Sequence, residues 1–165
     1  MEKNEWKEKL LYAPKNGYDR LDAEERAAAC AQPLPKSGEL YHNREIKGSG
    51  MHLTVKVNRN DGKGELIKIY TGDDILASAL FVNGNGKASC RLPGGTYHIK
   101  AGVGEKWYGT EDAFGWEGSY RTMLFNGGEE YVQLDSGYNY TITVNVEEND
   151  RGEGIGSAYE DYGSF

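Results

Sequence analysis

Cysteine is close to absent: the 165-residue chain holds only Cys30 and Cys90, outside any Cys-x-x-Cys pair and away from histidine at metal-ligand spacing. That excludes a disulfide framework and a thiolate metal site. Long apolar runs are missing as well. The longest, about Ile75 to Val82, falls far short of the roughly 18 residues that a membrane-crossing helix needs. Positive charge is in deficit, with 19 basic against 26 acidic residues and a formal net charge of −7. Such a chain repels phosphate backbones and anionic lipid, so nucleic acid is not an expected partner. Signatures of catalysis are lacking too: there is no His-Glu-x-x-His, no Gly-x-Ser-x-Gly and no phosphate-binding Gly-x-x-x-x-Gly-Lys. Gly152-x-Gly154-x-Gly156 fails the dinucleotide pattern. The expectation is a non-enzyme without cofactor or metal. Met1 to Glu5 does not read as a signal peptide, so the chain as written is expected to be soluble and unexported. A piece excised from a larger surface protein would read the same way.

Glycine is plentiful, 23 residues, and twelve tyrosines outnumber four phenylalanines. This fits an all-β protein with many turns and half-wet aromatics. From Met51 onward apolar residues alternate with polar ones, Leu53, Val55 and Val57 against His52, Thr54 and Lys56, as in a half-buried strand. Further strands are expected at 65–70, 77–82, 87–92, 96–101, 120–125, 129–134 and 138–146, about eight in all. Most are separated by Gly-containing turns such as Asn60-Asp61-Gly62 and Asn83-Gly84-Asn85-Gly86. Alternating runs on both sides of Pro93-Gly94-Gly95 specify a tight hairpin there. Without interleaved helices these strands exclude a doubly wound parallel sheet and leave an antiparallel two-sheet β-sandwich over 39–148. Residues 1–38 read as a segment of two short helices, about Trp6 to Tyr12 and Asp22 to Ala31, closed by a connector around Pro33 and Pro35. Residues 149–165 read as an acidic, glycine-rich tail, a flexible end rather than a ninth strand.

The segment from Gly86 through Leu92-Pro93-Gly94-Gly95-Thr96-Tyr97 to Ile99 resembles the signature hairpin of transthyretin-like and Cna-B-like sandwich domains of bacterial surface proteins. That resemblance implies an Ig-like or prealbumin-like sandwich with an accessory or interaction role. Some such domains carry a Lys–Asn isopeptide bond promoted by a glutamate. This chain departs from that pattern, since Lys56 and Asn145 lie on polar strand faces and Lys100 stands where the glutamate often falls. Lys106-Trp107-Tyr108-Gly109, with Phe114-Gly115 and Ser119-Tyr120, also looks like uncharacterised sandwich domains of clostridial-type bacterial proteins.

Aromatic residues crowd the long connection between the fifth and sixth of these strands, and loops ordinarily avoid them. Trp107, Tyr108, Phe114, Trp116 and Tyr120, with Glu111 and Asp112, are the candidate contact residues. They either grip a protein or peptide, or stack on a sugar ring whose hydroxyls the carboxylates bind, or fold back to plug the sandwich. The leading functional expectation is thus a non-catalytic interaction domain, with a carbohydrate-binding module and an enzyme of unrecognised type as alternatives. Asn58 to Glu65 has the composition of a calcium loop but places Val57 and Arg59 where oxygen ligands belong, so it reads as a turn. His52 and His98 are expected on exposed strand faces. Cys90 shares a face with Ala88 and Leu92, and reads as a small buried hydrophobe or as a partner of Cys30.

Overall fold

The computed structural model describes residues 31–110, 112–146, 156–160 and 165, and only the backbone of Trp116 and of 156–160. The two expected N-terminal helices lie outside the described residues. The described residues are all-β, in two sheets. Its strands are β1 (Gly38–His42), β2 (Met51–Asn58), β3 (Gly64–Thr71), β4 (Leu76–Asn83), β5 (Gly86–Leu92), β6 (Gly95–Gly104), β7 (Ser119–Leu124), β8 (Tyr131–Leu134), β9 (Asn139–Asn145) and β10 (Gly156–Glu160). The larger sheet runs β1-β4-β3-β6-β7-β10 with β8 also on β6, and the smaller is β5-β2-β9.

Alternation decides which side chains meet between the sheets, because successive Cβ atoms point to opposite faces. Met51, Leu53, Val55 and Val57 of β2, with Ala88, Cys90 and Leu92 of β5 and Ile142 and Val144 of β9, cover the inner face of the smaller sheet. They pack in one cluster with Ile67, Ile69, Leu80, Val82, Tyr97, Ile99, Ala101, Met123 and Leu134 from the larger one. This shared core is the principal apolar burial of the molecule.

Three sequence expectations change. First, Pro93-Gly94-Gly95 does not close a hairpin: β5 pairs with β2, whereas β6 pairs with β3, β7 and β8. The chain crosses here from one sheet to the other. An arch between sheets and a hairpin within one sheet bury the same alternate residues, so periodicity does not separate them. Gly94 fits because it lies against the Ser136 backbone, where an added Cβ would come within 2.6 Å of the Ser136 nitrogen. Second, pairing is not antiparallel throughout. β2 and β9 run parallel from His52↔Asn139 to Asn58↔Asn145, the many intervening residues supplying the crossover that such pairing needs. Third, 156–160 are a strand: β10 is antiparallel to β7 from Gly156↔Leu124 to Glu160↔Tyr120. The glycines around it lowered its strand signal, and its place on the sheet comes from β7, not from local propensity.

Charge is also buried at one end of the core. Glu65 is fully enclosed, with Arg59 Nη2 at 3.0 Å from one carboxylate oxygen and Arg121 Nη2 at 3.3 Å from the other. Burial without such partners would be costly. The Arg59 guanidinium also reaches Asp61, so the turn between β2 and β3 is centred on a cation.

Candidate functional site

Glycine prepares the place where the aromatic segment lies. On the outer face of the larger sheet β6 offers Gly102 and Gly104, and added Cβ atoms there would sit 2.8 Å from the Tyr120 ring and 2.5 Å from Phe114 Cβ. With no side chains in the way, rings rest directly on the backbone. Phe114 is 1% exposed, Trp107 4% and Tyr120 3%; Tyr108 and Asp112 are buried as well. Trp107, Phe114, Tyr120 and Phe165 join Leu66, Ala79 and Phe81 of the sheet in a second apolar cluster, with Leu34 of the connector against it. Trp107 meets Phe81 at 5.0 Å and Phe114 at 5.3 Å, both edge-on. The Tyr120 hydroxyl donates to the Gly115 carbonyl at 2.7 Å, and burial pushes its phenol well above the ordinary range, the nearby Asp112 charge adding to the effect. Glu111 and the Trp116 side chain lie outside the described residues.

Of the seven candidate side chains, Trp107, Phe114 and Tyr120 therefore form an internal cover on the larger sheet, and Tyr108 and Asp112 are buried as well. Rings that meet edge-on and exclude water offer no flat stacking surface. Beside this cover a cavity of about 250 Å³ opens between Lys63, Glu105, Lys106, Phe114, Glu117 and Ser119. Its charged rim and small volume do not match the mostly apolar clefts that hold organic ligands.

The other half of the outer face carries a histidine that alternation placed on the solvent side. His98 is instead 4% exposed. Its ring stacks on Tyr70 at 5.1 Å and 15° and meets Tyr131 at 5.1 Å. Tyr131 comes from β8, which pairs with β6 at this point. Asp74, in left-handed backbone in the β3–β4 turn, brings a carboxylate oxygen to 2.7 Å from Nε2, and Glu130 approaches Nδ1 at 3.9 Å. Neither contact has the alignment of a hydrogen bond, so both ring nitrogens are buried without a hydrogen-bond partner. Asp74 together with burial and Glu130 raises the Tyr131 phenol above its usual range. His52 is half-buried and His42 is exposed beside Glu39. Among the described residues no group of three His, Cys, Asp or Glu side chains could hold a metal ion.

Among the described residues, the outside of the smaller sheet is an exposed face. Its strands place His52, Thr54, Lys56 and Asn58 beside Arg91, Ser89 and Lys87 on one side and Asn139, Thr141, Thr143 and Asn145 on the other. Every one of these side chains is exposed or half-buried. None is apolar and none is acidic. Lys56, Lys87 and Arg91 form no ion pair among the described residues. The polar phase of each strand was visible in the sequence, but their adjacency was not, because β2, β5 and β9 come together only through the topology. No family model, curated protein or solved structure matches the chain.

Proposed function

We propose that the chain is a non-catalytic interaction module, a β-sandwich of the Ig-like or prealbumin-like kind, whose contact surface is the outer face of the three-stranded sheet and whose partner is anionic. One observation carries the reading: an exposed sheet face on which, among the described residues, Lys56, Lys87 and Arg91 have no ion-pair partner and no carboxylate stands, on a chain of net charge −7. Unpaired positive charge gathered on one face of an acidic molecule steers and orients an acidic partner. The Cna-B-like resemblance supplies a context for such a module on a bacterial surface. The aromatic segment, given over to covering the larger sheet, serves stability in this reading and does not bind a glycan.

Retention on a sulfonate resin at pH 7.4 tests the contact surface. At about 20 mM salt, where screening extends over roughly 20 Å, the native chain is expected to bind despite its net negative charge. The triple variant Lys56→Glu, Lys87→Glu, Arg91→Glu is expected in the flow-through. Flow-through of the native chain, or equal retention of the variant, overturns the reading.

A further inference from the structure

The cations of the open face stand in rows. Lys56 pairs with Lys87 across β2 and β5, and His52 pairs with Arg91; between them lies a row of hydroxyls, Ser89, Thr54 and Thr141. Like charges directly opposite each other destabilise a sheet. A ligand anion seated over the Lys56–Lys87 pair relieves that repulsion. Because the rows are four residues apart on one strand, about 13 Å separates the two cationic rows, with the hydroxyls midway.

That interval selects among polyanions. A peptide lying extended along the strands has the same repeat as the sheet beneath it, so side chains at i, i+2 and i+4 fall over successive rows. Carboxylates at i and i+4 then meet the two cationic rows, and a hydrogen-bonding side chain at i+2 meets the hydroxyls. Single-stranded nucleic acid relies on successive aromatic faces for stacking, and the described residues of this face include no Trp, Tyr or Phe and a single ring, that of His52. Resting on the proposed contact surface above, we infer that the occupant is an extended acidic segment of a partner protein, with Asp or Glu four residues apart, aligned along β2 over Lys56, Lys87, His52 and Arg91.

The test uses synthetic peptides and amide NMR of the full chain. One peptide carries Glu at i, i+4 and i+8 in a Thr/Ser background; its isomer carries the same three Glu residues consecutively. Expected are shifts confined to β2, β5 and β9, affinity about threefold higher for the spaced peptide, and about fivefold loss with Lys87→Glu, magnitudes typical of exposed charge pairs. Lys106→Glu, beside the cavity on the other sheet, is expected to change affinity less than about twofold. Equal affinity of the two isomers, or an equal loss from Lys106→Glu, overturns the inference and leaves only bulk charge attraction. A heparin oligosaccharide that binds these strands more tightly than either peptide overturns the peptide assignment while the contact surface stands. Absence of shifts on β2, β5 and β9 with every anion overturns both. The amide spectrum itself reports that each variant is folded.

Discussion

Cys90 shows how much one residue's surroundings decide. Its thiol lies in the shared core beneath β5 and is free of disulfide bonding, and burial pushes its pKa up to about 12, with Ser78 opposing through a hydrogen bond and the Glu39 charge reinforcing. A folded-state pKa above the unfolded one means that the associated stability is fully present below about pH 9 and is lost as pH climbs towards 12. In a Cys30→Ser background, labelling of Cys90 by a thiol reagent at pH 8 is expected to proceed only as fast as the chain opens, rising to the rate of a free thiol in denaturant. Rapid labelling of the native chain would contradict that burial. The side of the sheet on which Cys90 falls was legible from its neighbours Ala88 and Leu92. His98 shows the limit of the same reasoning: period-2 alternation tells which face a residue takes, not what covers that face, and here Tyr131 and the Asp74 turn do so from elsewhere in the chain.

Among elements, the connection from β6 to β7 departs most from its local character. It is rich in glycine and irregular, yet it holds an apolar cluster of its own against Phe81 and Leu66. Phe114→Ala removes the ring at the centre of that cluster and is expected to cost about 3–5 kcal/mol. Gly104→Ala inserts a methyl group against Phe114 and is expected to cost about 1–3 kcal/mol. Urea unfolding followed by far-ultraviolet dichroism measures both; a change below about 0.5 kcal/mol for Phe114→Ala would mean that the cover adds nothing to the fold. The density of aromatics in this connection was plain in the sequence. Its destination was not, since that depends on Gly102 and Gly104 lying beside Tyr120 and Phe114 in space. The Pro93-Gly94-Gly95 crossing is the same lesson at another joint, where turn chemistry fixed a reversal of the chain but not the sheet that receives it.

Across the whole molecule, strands were largely legible and their partners were not, because pairing joins segments far apart in the chain. β2 finds β5 on one side and β9 on the other, and the smaller sheet cannot close until both have arrived. Loop closure over such separations is slow, so refolding is expected on the millisecond-to-second scale of non-local β proteins. Stopped-flow tryptophan emission and dichroism checks this, and microsecond refolding would contradict the connectivity. Net charge is also an average at this scale: the chain carries −7 overall, yet among the described residues the outer face of the smaller sheet holds Lys56, Lys87 and Arg91 and no carboxylate. The parallel pair has a mechanical consequence. Tension applied at Met51 and Asn145 would pull β2 and β9 in opposite directions along their length. The registered pairs from His52↔Asn139 to Asn58↔Asn145 would then be loaded together in shear, a geometry that resists stretching far better than one in which bonds are peeled apart singly.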